Sequence, residues 1–279
     1  MSRIKEQAMG KVWLVTGASR GLGREITRAA LDAGQTVVAT ARSAEAVRDA
    51  FVDDPDRLHV LALDVTDAEA ARAVVAEALE RFGAIDVLVN NAGYAELGFF
   101  ETFTDAAVRR QFEVNLFGAM SVARAVVPHM RGRRSGLIVT ISSVSGVVSN
   151  GGGSVYSASK FALEGWMEGF AQELAPLGVR SLLVEPGMLR TEFMDGKSAS
   201  FGGIQISDYA EAVAQHRAFV DQANGAQPGD PKALAARIVA LASQDETPSR
   251  LVFGDDARRW AGAKVDQLRQ DIARSADQS

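Results

Sequence analysis

Short runs of apolar residues alternate along this chain with longer stretches in which apolar positions recur every three or four residues. Val12-Trp13-Leu14-Val15 reads as a strand buried on both faces, and Gln35 to Thr40, His59 to Leu63, Ile85 to Val89, Ile138 to Ile141 and Val179 to Val184 read as further strands. Arg250 to Phe253 reads as a final edge strand. Helical periodicity reaches about Ala33 after the first strand, then spans Asp67 to Phe82, about Thr104 to Met130, the stretch through Tyr156 and Lys160, and Lys232 to Ser243. Strands separated by single helices predict a doubly wound parallel sheet of about seven strands, with helices on both faces and right-handed crossovers, in one α/β domain covering 1–279. Ligands then gather at the carboxyl ends of the strands.

Two segments break the pattern. Residues 187–230 mix Met188, Phe193, Met194, Phe201, Ile204, Ile206 and Tyr209 with Gly196, Gly202-Gly203 and serines, which reads as a lid over a substrate site. Residues 255–279 form a charged, helical tail. The helix after Lys160 carries Phe161, Leu163, Trp166, Met167 and Phe170, more apolar surface than one buried stripe needs. A second copy of the chain, or its own C-terminal segment, must cover the surplus.

Composition narrows the function. The 279 residues carry a formal net charge of −5, which argues against nonspecific binding to nucleic acid or to an anionic membrane. With no cysteine there is no disulfide framework, thiolate nucleophile or cysteine metal site, and the cytoplasm is the default compartment. Met1 to Gly10 lacks an apolar signal region, and no later run is long enough to span a membrane. His59, His129 and His216 are scattered, so no metal site is expected.

Glycine-rich chemistry follows the first strand. Gly17, Gly21 and Gly23, with Ser19, Arg20 and Leu22, form a turn that enters a helix; its backbone can approach a diphosphate, which the helix N-terminus stabilises. The spacing is TGxxxGxG, and no Gly-Lys-Ser/Thr follows, which excludes a P-loop. The second strand ends in Arg42 with no acid beside it, and Arg20 is a second cation nearby; this favours a 2′-phosphate, hence NADP(H) over NAD(H). After the third strand, Asp64-Val65 either caps the next segment or accepts from an adenine amino group. Asn90-Asn91-Ala92-Gly93 ends the fourth strand, and Asn115 interrupts an apolar helix face, so its amide needs a partner. Tyr156 and Lys160, four residues apart, share one helix face. An ammonium near a phenol is expected to lower its pKa from about 10 toward the range useful for general acid/base catalysis.

Taken in order, TGASRGLG, NNAG with Asn91, Ala92 and Gly93, Asn115, Ser143, YSASK and Pro186-Gly187 with Thr191 resemble the short-chain dehydrogenase/reductase family over about Val12 to Thr191. The resemblance implies a Rossmann-like fold, bound NADP(H) and a catalytic tetrad of Asn115, Ser143, Tyr156 and Lys160. Ser143 stands thirteen residues before the tyrosine, as in the family, and Ser142 is the fallback. It further implies that Tyr156 exchanges a proton with a carbonyl oxygen, that Ser143 holds that oxygen, and that Lys160 binds the nicotinamide ribose. Asn115 would hold a water connecting Lys160 to solvent. The branch resembled includes hydroxysteroid dehydrogenase-like and carbonyl reductases, so the expected partner is a small, hydrophobic ketone, aldehyde or alcohol. A homodimer is expected, with a tetramer as the larger alternative. The contrasting expectation is a non-catalytic NADP sensor on the same fold.

Overall fold

The computed structural model describes residues 10–51, 54, 56–195 and 198–276. The leader before Gly10, Gly196 of the irregular segment and the last three residues of the tail lie outside these. In chain order the elements are β1 (Val12–Thr16), α1 (Gly21–Asp32), β2 (Thr36–Ala41), α2 (Ala44–Arg48), β3 (Leu58–Ala62), α3 (Ala68–Phe82), β4 (Val87–Asn90), β5 (Ala95–Leu97), α4 (Asp105–Phe112), α5 (Ala119–Arg133), β6 (Gly136–Ile141), α6 (Ser154–Leu174), β7 (Val179–Pro186), β8 (Ala199–Phe201), α7 (Ala210–Ala223), α8 (Pro231–Ala242), β9 (Arg250–Phe253) and α9 (Asp255–Ala276).

Seven strands form one sheet in the order β3-β2-β1-β4-β6-β7-β9, every pair parallel. The pleat explains why the strands read as continuous apolar runs. Trp13 and Val15 point to one face and pack with Ile26 of α1 and Leu234 and Ile238 of α8; Val12 and Leu14 point to the other and meet Val74 of α3, Val126 of α5 and Met167 of α6. This is the Rossmann-like α/β domain expected from the pattern. Strand order reverses direction between β1 and β4, which opens a crevice beyond their carboxyl ends.

Three details depart from expectation. The helix anticipated from Thr104 to Met130 is not continuous, because a π-helical turn, Glu113–Gly118, separates α4 from α5 and contains Asn115. Such a turn carries an extra residue per loop and commonly marks a functional position. A small second sheet pairs β5 with β8, tying residues after the NNAG stretch to the irregular segment 187–230. That segment also contains α7, which sequence periodicity missed for a physical reason: of its residues only Val220 is buried, so no apolar stripe was written into it.

Candidate active site

The cavity at the carboxyl edge of the sheet is about 500 Å³. It collects Arg20, Gly21, Leu22, Gly23, Asn91, Ala92, Gly93, Ser143, Tyr156, Lys160, Pro186, Gly187 and Thr191 from the expected set. Gly17, Ser19, Arg42, Asp64, Val65 and Asn115 do not line it. Gly17, Arg42 and Asp64 instead follow the ends of β1, β2 and β3 in turn, extending the same sheet edge outward from the cavity.

The glycine turn is built by close approach. A Cβ on Gly23 would stand 2.3 Å from the Gly17 carbonyl oxygen and 2.4 Å from the Asn91 side-chain nitrogen, and Gly17 itself has φ +68°. Asn91 locks this contact: its Nδ2 donates to the carbonyls of Thr16 at 2.9 Å and Gly17 at 3.2 Å. Thr16 completes the clamp, since its Oγ1 accepts from the backbone N–H groups of Asn91 and Ala92, both at 3.0 Å, and donates to the Val89 carbonyl. Asn91 therefore shapes the turn with its side chain. Thr16 was legible only as the last residue of a strand.

At the sheet edge Asp64 closes a local turn. Its Oδ1 accepts from the Thr66 N–H at 3.0 Å and the Thr66 hydroxyl at 2.7 Å, a side-chain-closed turn before α3. These bonds, with Arg110 and Arg42 nearby, outweigh the effect of burial and hold its carboxyl below the usual range. Arg42 is exposed, at the place where a ribose 2′-substituent would sit, with no acid at the end of β2. A backbone cradle for diphosphate beside an exposed arginine fits a phosphorylated dinucleotide.

Inside the cavity, Tyr156 and Lys160 project from α6, with the lysine Nζ 5.9 Å from the centre of the phenol ring. Lys160 is buried, and its ammonium donates to the Ile141 carbonyl at 2.9 Å. Burial draws its pKa down to about 8, while the Glu164 carboxylate one turn further along α6 opposes the shift. The expected acidification of Tyr156 is not what this environment produces. Burial pushes the phenol up to about 12, against the pull of a hydrogen bond from Ser143. Desolvation outweighs that hydrogen bond, so the phenol is neutral in the resting site. The Ser143 bond to Tyr156 separates the two adjacent serines, because Ser142 is buried on the side of Glu164.

Asn115 lies behind the cavity and acts as a brace. Its Oδ1 accepts from the Tyr94 N–H at 3.1 Å, and its Nδ2 donates to the Tyr94 carbonyl at 3.0 Å and to Ser159 Oγ at 3.1 Å. Ser159 in turn donates to the Tyr156 carbonyl at 2.7 Å. The π-turn, the NNAG extension and α6 are thus joined through one amide. Ser159 was visible in the YSASK stretch without a role. From the far end of the chain, Asp256 accepts from the Met188 N–H at 2.8 Å and fixes the turn after Pro186-Gly187. Trp260 of α9 and His216 of α7 complete the wall. Nothing local in the sequence announces either, since both come from elements folded back from beyond the recognisable motifs. Among the described residues no group of acids, histidines or cysteines is arranged to hold a metal ion, and no helix is long and apolar enough to cross a membrane.

The short chain dehydrogenase family profile matches residues 11–200, the part of the chain that holds this glycine turn and the Tyr156–Lys160 pair. A short-chain dehydrogenase from Streptomyces avermitilis shares 44% identity over 96% of this chain and 97% of its own, with a TM-score of 0.88. A metagenomic short-chain oxidoreductase solved in complex with NADP is 30% identical over 88% of this chain and 96% of its own, with a TM-score of 0.68. The 3-ketodihydrosphingosine reductase of Bacteroides thetaiotaomicron is 32% identical over 246 residues, 88% of each chain. Sheet order, glycine turn, the Tyr156–Lys160 helix and these matches agree, and the chain belongs to the short-chain dehydrogenase family of oxidoreductases.

Proposed function

We propose that the protein is an NADP(H)-dependent oxidoreductase that interconverts a hydrophobic ketone or aldehyde with its alcohol, using Tyr156 as general acid/base. One observation carries this reading: Tyr156, Ser143 and Lys160 face the same cavity as the glycine turn and the Pro186-Gly187-Thr191 stretch. Residues of the turn, Arg20, Arg42, Asn91 to Gly93 and Thr191 would hold the dinucleotide, which supplies hydride to the carbonyl carbon when bound. In the reduction direction the neutral phenol of Tyr156 gives its proton to the carbonyl oxygen. Ser143 donates to that oxygen as charge builds on it. The phenolate left behind is held by the Ser143 hydroxyl and by the Lys160 ammonium on the same helix face. The remaining wall, with Leu97, Val144, Met188, Phe193, Met194 and Trp260, excludes water and favours an apolar substrate. The relative named as a 3-ketodihydrosphingosine reductase is in keeping with a ketone substrate. Residues 187–230 close over it as a lid, and exposed Phe117 and Phe161 offer a face for a second copy of the chain.

The direct test is NADPH oxidation across ketones and aldehydes graded by size. Tight NADPH binding with no oxidation by any of them replaces this reading with a non-catalytic sensor. Cofactor choice has its own test in Arg42→Asp. A charge-assisted hydrogen bond to a 2′-phosphate is lost and a like charge introduced, so kcat/KM for NADPH falls about ten- to hundredfold while that for NADH rises. An unchanged ratio places the 2′-phosphate elsewhere.

The pH profile tests Lys160. Its pKa of about 8 lies below the usual lysine value, so the ammonium is present below that pH and is lost as pH rises through it. kcat/KM for NADPH, which reports the free enzyme, therefore falls on the alkaline side of about pH 8. Glu164 raises that pKa, so Glu164→Gln moves the alkaline limb to lower pH. A limb that stays in place shows that Lys160 does not set it.

A further inference from the structure

His216 stands apart from the catalytic group and has no part in the chemistry above. It projects from α7 into a mostly apolar cavity wall that holds Leu97, Phe219 and Val220, with Asn150 and Ser157 among its polar members. Its seat is built from two directions. The ring meets Phe99 edge-on, centroids 6.3 Å apart, and Phe99 is itself stacked on Tyr209 at 5.3 Å. Below the imidazole lies Gly152, at φ +80°, where a Cβ would come within 2.5 Å of both Cδ2 and Nε2. Only glycine leaves room for the ring there. The Gly152 carbonyl accepts from the Gly98 N–H at 2.8 Å, which ties this floor to the segment that carries Phe99. Among the described residues the half-buried imidazole makes no hydrogen bond, although Phe99 and Gly152 pack against it. An oriented polar group without a protein partner, set in an apolar cavity wall, is what fixes the pose of a ligand in such sites.

We infer that His216 is the polar recognition residue of the substrate cavity, and that the substrate is a hydrophobic ketone bearing a second neutral hydrogen-bonding group, a hydroxyl or carbonyl, remote from the reacting carbon. This rests on the carbonyl reduction proposed above. Burial lowers the imidazole pKa, so near neutral pH the ring is uncharged and offers one donor and one acceptor nitrogen. That pair suits a neutral polar group better than a carboxylate. A site that hydrogen-bonds a substrate group discriminates against the analogue that lacks it, whereas an apolar wall discriminates weakly.

The test uses a saturated medium-chain methyl ketone and a series of its analogues with one hydroxyl at successive carbons. NADPH oxidation is followed with the full-length wild type, His216→Phe and His216→Asn, and the affinity of each protein for the corresponding diols is measured by calorimetry. The expected result is a wild-type kcat/KM about tenfold or more higher for one hydroxyketone than for the parent. His216→Phe loses that ratio, and His216→Asn, which keeps a donor and an acceptor, retains part of it; the diol affinities follow the same order. A ratio that persists in His216→Phe overturns the inference, as does wild-type reduction of the parent with no preference for any hydroxyl position. Reduction of none of these ketones by the wild type, in spite of NADPH binding, overturns the proposed activity and this inference with it.

Discussion

Tyr156→Phe lowers kcat for NADPH-dependent ketone reduction by about a thousandfold while the Kd for NADPH stays within a few-fold of wild type. The substitution keeps the ring, its packing at 5.8 Å from Phe193 and the helix that carries it, and deletes only the proton donor. General acid catalysis is worth roughly 10²–10⁴ in rate, and the buried setting argues for the upper part of that range. On the proposed mechanism a neutral phenol with a pKa of about 12 gives up its proton only because charge appears on the substrate oxygen at the same moment and because Ser143 and Lys160 receive the phenolate. Water admitted to the site by the mutation would need to be placed by the same groups and has no fixed position among apolar walls. Stopped-flow measurement of hydride transfer, together with fluorescence titration of NADPH, separates the two effects. Turnover within tenfold of wild type would mean that another group donates the proton.

The core of the architecture was legible because the central strands are buried on both faces and so carry uninterrupted apolar runs, as in Val12 to Val15 and Val87 to Val89. The turn and NNAG stretches were legible for a different reason, since their close approach tolerates few residue types; Gly23 against the Gly17 carbonyl and the Asn91 side chain is the clearest case. What escaped the sequence depends on tertiary placement. Asn115 was singled out as an amide in need of partners, but the π-turn that directs it at Tyr94 and Ser159 has no local signature. Asp256, His216 and Trp260 reach the site from α9 and α7, whose mostly exposed residues carry little periodic signal. The sense of the Tyr156 shift also escaped, because spacing shows that a charge is near but not how far both groups are removed from water.

The largest loss of stability is expected at Arg250, a residue of the edge strand β9 that lies outside the cavity. Its guanidinium bridges Glu164 of α6 and Glu185 of β7, the latter at 2.5 Å, and reaches Glu168 at 3.0 Å. Glu164 and Glu185 are 7% and 2% exposed, so two carboxylates from different elements are kept out of water beside each other and share one cation. Removing that cation leaves both uncompensated, a class of change that costs about 3–5 kcal/mol. Because Arg250 is itself about one-third exposed, water relieves part of the loss and the lower end applies. Arg250→Met, which keeps the stem, is then expected to lower Tm by roughly 6–10 °C at neutral pH. The deficit should also depend on pH in a defined sense. Burial already holds the Glu164 carboxyl above its usual value, against the pull of Ser142 and Arg250, and without the arginine it rises further, so the folded chain binds more protons than the unfolded one. Stability is then lost as pH rises through that raised value and is largely recovered below the unfolded carboxylate pKa of about 4.3. Thermal melts of both proteins between about pH 5 and 8 should therefore diverge as pH increases, and parallel curves would show that Glu164 and Glu185 are stabilised by something other than this arginine.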